Sequence, residues 1–189
     1  QRLLERIPGY VDDADYVASG QRAAVAYANG MSTASDDDIR YRLRRLQTSN
    51  GQAVLQDLAY AYDNASDIVS ITDSRPNRTP DNDQSQIFAY DNLYRLTQAV
   101  GTYGQIDHVY DSIGNMIHQT STAADPRLNL GEMRYGEHSA GPHALTFAAG
   151  ETYTYDADGN LAQKGTATYT WDFRDRLVSV DDGGLGSVH

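Results

Sequence analysis

The chain has 189 residues, with 15 Lys+Arg against 26 Asp+Glu, a formal charge of −11 at pH 7. It lacks the basic footprint that a phosphate backbone or an anionic membrane surface requires. The absence of Cys excludes disulfides, thiol catalysis and Cys-ligated zinc, and no apolar run reaches the ~18–20 residues of a membrane helix. Tyr occurs 14 times against 3 Phe, and Asp 22 times against 4 Glu. Tyr favours strands, while Asp and Gly favour turns, so the composition reads as many short strands joined by many turns. An apolar content of 40% with 16 Gly argues against disorder.

In chain order, no signal peptide opens the sequence, which starts at Gln1 and is read as excised from something longer. Short turns near Leu3–Arg6 are the only helical suggestion. Ile39, Tyr41 and Leu43 alternate with Arg40, Arg42 and Arg44, which predicts a one-sided strand with a cationic stripe. A motif then recurs: aromatic, any residue, Tyr, Asp, two residues, Gly-Asn, apolar. Its copies are Tyr60-Ala61-Tyr62-Asp63 running to Ile68, Tyr110-Asp111 through Gly114-Asn115-Met116, and Tyr153-Thr154-Tyr155-Asp156 through Gly159-Asn160-Leu161. A sister form ends in Arg-Leu: Phe88-Ala89-Tyr90-Asp91 to Arg95-Leu96, and Tyr169-Thr170-Trp171-Asp172 to Arg176-Leu177. The steps between the motif Asp residues are 28, 20, 45 and 16 residues, so the repeat is irregular. Loops are predicted at 73–85 and 125–141. Leu177, Ser179 and Asp181 are placed opposite Val178 and Val180, and Gly183–His189 is a Gly-rich end.

Each copy reads as a β-hairpin. Tyr60 and Tyr62, or Tyr153 and Tyr155, lie two apart and share one face of a strand. The Asp ends the strand by accepting from backbone N–H groups just ahead, and Gly114 or Gly159 supplies a positive φ. The loop has about four residues, and turns are expected at 63–67, 92–95, 112–115 and 157–160.

These motifs resemble the YD-repeat, or RHS, family, with five copies covering residues 60–177. Gly20-Gln21-Arg22 through Gly30, followed by Tyr41-Arg42-Leu43-Arg44-Arg45-Leu46, resembles a degenerate repeat. Leu55-Gln56-Asp57-Leu58 before Tyr60, and Gly141-Pro142-His143-Ala144-Leu145 before the cleanest copy, are most similar to the repeat region of bacterial insecticidal toxin-complex proteins. The resemblance implies hairpins joined into one long spiralling sheet, the wall of a hollow shell around a toxic C-terminal polypeptide; animal teneurins use a similar shell for adhesion. It implies a secreted or injected bacterial protein. The RHS core segment that frees the cargo in that family is not recognisable here, and the isolated Asp125-Pro126 does not supply it.

Rival chemistry finds little footing. Asp156-Ala157-Asp158-Gly159-Asn160 looks like the start of a calcium loop, but Leu161 and Ala167 stand where an EF-hand needs Gly and Glu. His108, His118, His138, His143 and His189 have no zincin spacing, and there is no nucleophile elbow or phosphate loop. Consecutive acids at 36–38 and 181–182 read as solvated turns. The motif Asp residues have one turn role in every copy, which argues against catalysis. The Arg stripe reads as a solvated face, or as a strip facing cargo or an anionic partner. The tyrosines read as cross-strand packing, or as a platform for glycans.

The expectation is therefore an all-β array of antiparallel hairpins, one continuous array over residues 1–189, without catalytic, cofactor or metal residues. Its structural motif residues are Tyr60, Tyr62, Asp63, Tyr90, Asp91, Arg95, Tyr110, Asp111, Gly114, Asn115, Tyr153, Tyr155, Asp156, Gly159, Asn160, Trp171, Asp172 and Arg176. Expected partners are the rest of a shell and its enclosed polypeptide, with a cell-surface glycan or receptor as the alternative. Nucleic acid and membrane insertion are not expected, and edge-to-edge self-association of the isolated chain is.

Overall fold

The computed structural model describes Leu3 and residues 5–182. Strands dominate, and helix among the described residues is limited to three single 3-10 turns at Pro80–Asn82, Pro126–Leu128 and Glu137–Ser139. The chain forms two compact units, Gln1–Tyr103 and Gly104–His189.

The first unit holds β1 (Val11–Tyr16), β2 (Arg22–Tyr27), β3 (Ser32–Asp37), β4 (Leu43–Ser49), β5 (Val54–Tyr62), β6 (Ile68–Asp73), β7 (Gln86–Tyr90) and β8 (Leu96–Gly101). They are hydrogen-bonded in chain order, each antiparallel to the next. The second unit holds β9 (Gly104–Tyr110), β10 (Met116–Ser121), β11 (Gly131–Glu132), β12 (Arg134–Tyr135), β13 (Leu145–Ala148), β14 (Glu151–Tyr155), β15 (Leu161–Lys164), β16 (Ala167–Trp171) and β17 (Leu177–Asp181). Here too neighbours in sequence pair antiparallel, except that the ladder breaks at Met133, so β9–β11 and β12–β17 lie in different sheets.

Most strand residues are half-buried. The buried apolar side chains among the described residues are Ala14, Val25, Leu58, Ala99, Met133 and Ala148. Alternating burial, as in β3, β7 and β16, marks a pleated surface with one better-covered face.

The motif hairpins share one irregularity. Beside each turn the return strand carries one extra residue: Arg44, Val69, Thr97, Ile117, Ala162 or Val178. Such a bulge sharpens the local twist and goes with a left-handed residue at the end of the turn. That residue is Gly114 (φ 96°) or Gly159 (φ 89°) in two hairpins, and Tyr41, Ser66, Tyr94 or Asp175 (φ 56–81°) in the others.

Several expectations are corrected. The strand expected from Ile39 to Arg44 is confined to its last two residues: Asp38–Arg42 is a turn with Tyr41 at φ 63°, and β4 begins at Leu43. The alternation expected from Leu177 fails because the bulge at Val178 shifts the register, leaving Leu177 and Val178 both about half exposed (49% and 51%). Asp73 belongs to β6, and the first loop is 74–85. The stretch 125–141 includes β11 and β12, and the loop after β12 runs on to Ala144. Leu3, Glu5 and Arg6 are not helical. Leu4 and the Gly-rich end Gly183–His189 lie outside the described residues.

The left-handed turn positions generate a test. A Cβ at Gly114 or Gly159 would meet nothing within 4 Å, so substitution is resisted by backbone conformation alone. Gly114→Val and Gly159→Val are expected to destabilise by roughly 1–3 kcal/mol each, and Tyr94→Gly to stabilise by about 0.5–1 kcal/mol. Urea midpoints of the three variants check both signs.

Candidate functional site: motif turns and aromatic clasps

Six turns are built alike. In each, the Asp N–H donates to the carbonyl four residues on, and the left-handed residue donates back to the Asp carbonyl; at Asp63 these bonds are 3.0 Å to Asp67 and 3.3 Å from Ser66. The Asp Oδ1 then accepts two further backbone N–H groups. For Asp156 they come from Asp158 (3.0 Å) and Asn160 (2.8 Å), and Asp38, Asp63, Asp91, Asp111 and Asp172 repeat the pattern. One side chain thus satisfies donors that a tight turn would leave to water. The Oδ2 accepts from the side chain four residues on: Arg42 (2.7 Å), Arg95 (2.7 Å), Asn115 (2.9 Å), Asn160 (3.2 Å) or Arg176 (2.9 Å).

These contacts favour the ionised form of Asp38, Asp91, Asp111, Asp156 and Asp172. The guanidinium of Arg42 lowers the pKa of Asp38, and that of Arg176 lowers Asp172. The backbone N–H of Arg95 lowers Asp91, and that of Asn160 lowers Asp156. For Asp111 burial opposes the shift but is outweighed by the hydrogen bonds from Asn115, Ile113 and Gly114.

The aromatic residue before the Asp performs a second task. Tyr62 Oη donates to the Leu43 carbonyl (2.8 Å), and Tyr90 Oη to that of Ile68 (2.9 Å). In the second unit Tyr155 Oη donates to Leu145 O (2.9 Å), and Trp171 Nε1 to Leu161 O (2.8 Å). Each acceptor is the first residue of the preceding hairpin's return strand, next to the bulge. The donor belongs to one hairpin and the acceptor to the one before it, so this bond clasps successive hairpins together. Trp can replace Tyr because its indole N–H is also a donor, whereas Phe could only pack. Burial raises the pKa of Tyr62, Tyr90, Tyr135 and Tyr155, consistent with phenols kept as donors. Tyr60, Tyr110 and Tyr153 are half-buried strand residues of β5, β9 and β14.

Three further groups lie outside the sequence expectation. The Asp38 turn repeats the hydrogen bonding of the motif turn without an aromatic before its Asp, and its Asp-x-x-Tyr-Arg-Leu ending matches that of Asp91-Asn92-Leu93-Tyr94-Arg95-Leu96. Tyr135 is a clasp, donating to Met116 O (2.9 Å), in a repeat whose short turn is replaced by loop 136–144. Buried Asn115 anchors that loop through Pro142 O (3.0 Å) and His143 Nδ1 (2.7 Å). The third group is Asp57 and Asp73, both buried. Arg45 and Gln47 satisfy Asp57 (2.6–2.9 Å). Asp73 is paired with Arg75 (2.5–3.0 Å) and accepts from Gln84 N–H, closing loop 74–85 on itself. Arg75 holds the Asp73 carboxyl well below the usual carboxylate range, and Arg45 lowers that of Asp57.

The Arg stripe is dispersed. Arg42 pairs with Asp38, Arg44 pairs with Asp36, and Arg40 donates to Asn64 O. The Asp156 carboxylate expected to resemble a calcium loop is engaged by its own turn. The clasp tyrosines are half-buried with their hydroxyls used, while the strongly exposed tyrosines are Tyr10, Tyr41 and Tyr94.

Two tests follow. Tyr90→Phe and Tyr155→Phe are expected to cost about 0.5–1.5 kcal/mol each, the net worth of a hydrogen bond, whereas Tyr94→Phe on an exposed turn is expected to stay within about 0.5 kcal/mol of the parent. Chemical denaturation checks these values. For pH, carboxyls lowered in the fold mean that the unfolded chain binds more protons in acid. Their stabilisation is present above the ordinary Asp pKa of about 4 and is lost as pH falls through the folded values. The urea midpoint should therefore fall steadily from about pH 5 downward, and Asp73→Asn should shallow that slope.

The Teneurin YD-shell family model matches residues 21–189. No curated protein matches the chain. Among solved structures, the Photorhabdus luminescens Tc holotoxin pore superposes with a TM-score of 0.73 at 20% identity. The TcdB2-TccC3 crystal structure gives 0.73 at 20%, and the TcdB2-TccC3-Cdc42 structure 0.72 at 21%. Each match covers 94% of this chain and 10% of the other, so the chain spans about a tenth of their length and the likeness is one of fold. With a family match over most of its length and the same clasped turn in successive hairpins, the chain belongs to the teneurin YD-shell family.

Proposed function

We propose that this chain is a stretch of wall, one continuous repeat array, in an RHS/YD-repeat shell that encloses a toxic polypeptide of a secreted or injected bacterial protein. The observation that carries the reading is the repeated use of the motif residues: the turn carboxylate makes the same backbone contacts in six hairpins, five of them add the donor four residues on, and the aromatic clasp links successive hairpins at Tyr62, Tyr90, Tyr135, Tyr155 and Trp171. A residue spent identically in every repeat serves architecture rather than a single reaction, so the proposed role is structural and non-enzymatic. The shallow core also suits a wall, in which both sheet faces remain accessible. In the rest of such a protein the partners are further shell segments and the enclosed polypeptide.

A second reading, a glycan- or receptor-binding surface, rests on exposed Tyr41 and Tyr94 at the turn tips. A glycan array in which binding is lost with Tyr41→Ala and Tyr94→Ala would favour it.

The shell reading is tested in the parent protein. The polypeptide downstream of the repeats is expected to resist added protease when the array is intact, and to be cleaved when Tyr90→Ala and Tyr155→Ala are combined. Equal cleavage in both proteins would exclude enclosure by this wall. We also propose that the isolated chain associates edge to edge through its terminal strands. Its −11 charge opposes this, and salt screens that charge beyond ~8–10 Å, so sedimentation is expected to show more association at high salt than at low.

A further inference from the structure

The residue four places after the turn Asp is also the link to the next turn. Arg42 Nη1 reaches on to Asp63 O (3.3 Å) and Ser66 Oγ (3.1 Å), with its guanidinium 4.4 Å from the centre of the Tyr62 ring. Asn115 reaches Pro142 O, and Asn160 reaches Asp175 Oδ1 (3.0 Å). Among the described turns Asp67 is the exception. It places a carboxylate where Arg42, Arg95, Asn115, Asn160 and Arg176 place donors, so Asp63 Oδ2 receives nothing from it. Its own Oδ2 is buried without a hydrogen-bond partner.

An open groove of about 420 Å³ lies at this seam, lined by Asp63, Asp67, Phe88, Tyr90, Asp91 and Tyr94 among others. Asp91 is occupied by Arg95 (2.7 Å), so Asp63 and Asp67 are the carboxylates left to attract a cation. Tyr90 stands to this seam as Tyr62 stands to the previous one: its hydroxyl clasps Ile68 O as that of Tyr62 clasps Leu43 O. The previous seam shows what such a place holds, because there the chain's own guanidinium lies on the ring and donates into the turn.

We propose that the seam between turns 63–67 and 91–95 binds an arginine side chain of another polypeptide segment, its guanidinium seated between Asp67 and the Tyr90 ring. A planar guanidinium can stack on the ring and donate to a carboxylate at once, which a compact ammonium cannot match. A calcium ion would need six or more oxygen ligands, and two carboxylates, one of them already accepting two backbone N–H groups through Asp63 Oδ1, fall short of that. The inference does not depend on the shell reading.

The test is an NMR titration of the 189-residue chain with N-acetyl-arginine amide, N-acetyl-lysine amide and calcium chloride in separate arms. Millimolar binding of the arginine compound is expected, with shifts centred on Asp67 and Tyr90, and little response to the other two. Asp67→Asn restores the Asp–Asn pairing seen at turn 111–115, so it keeps the fold, and it is expected to weaken arginine binding about fivefold or more. Asp67→Arg is expected to raise the melting temperature and abolish binding by filling the seam from within. No shift near Asp67 at about 50 mM arginine compound, an equal response to lysine or calcium, or unchanged binding in Asp67→Asn would overturn the proposal.

Discussion

The structure depends on one hydrogen bond: an aromatic N–H or O–H at the end of a strand, donated to the carbonyl beside the previous hairpin's bulge. A two-stranded hairpin is marginal alone in water. Ladder bonds between strands are non-specific in register, since every residue offers the same groups. The clasp adds a side chain of fixed reach to a carbonyl at a fixed position, so it sets how one hairpin meets the next. The bulge and the left-handed residue give the turn its shape, and the Asp carboxylate holds that shape by taking up the turn's spare N–H groups. In the copies at Tyr62, Tyr90, Tyr155 and Trp171, aromatic, Asp, left-handed residue and apolar return residue therefore act as one mechanical unit, and the residues between them vary.

This arrangement explains the composition. With few side chains fully buried, a hydrophobic core cannot be the main organiser, and polar contacts must specify the geometry. The excess of Tyr over Phe follows, because a clasp needs a donor. The excess of Asp over Glu follows too, because only the shorter acid reaches back to N–H groups two and four residues ahead. Arg serves as the long donor that spans from its own turn to the next, as Arg42 does. Where buried carboxylates occur, at Asp57 and Asp73, each is neutralised by a guanidinium and further hydrogen bonds, the condition under which burial of a charge is tolerated.

The hairpins and their turns were legible in the sequence because their signals are local: a two-residue aromatic spacing, an Asp, and a Gly or an Arg at a set distance. What was not legible is non-local or hidden by substitution. The Asp38 turn lacks Gly and is embedded in an alternation of Arg and apolar residues, so periodicity alone suggested a strand where Tyr41 takes a left-handed conformation. The bulges were invisible because an extra residue leaves no compositional trace, and they undo the alternation expected after Leu177. Tyr135 carries no local signal, because a nine-residue loop replaces its short turn. Asp73 gave no hint, since a lone acid before a Pro-rich loop looks the same whether solvated or buried. The clasp itself joins residues from 10 to 22 positions apart, a distance at which a sequence shows the donor but not its acceptor.

The most direct measurement is native-state hydrogen exchange on Tyr90→Phe. If the hydroxyl clasps hairpins, its removal should lower protection both in its own hairpin, β7–β8, and in β6 from Ile68 to Ser70, while the β1–β2 amides remain as in the parent. Loss confined to residues around 90, or none at all, would mean that the ladder alone joins the hairpins and would contradict the account.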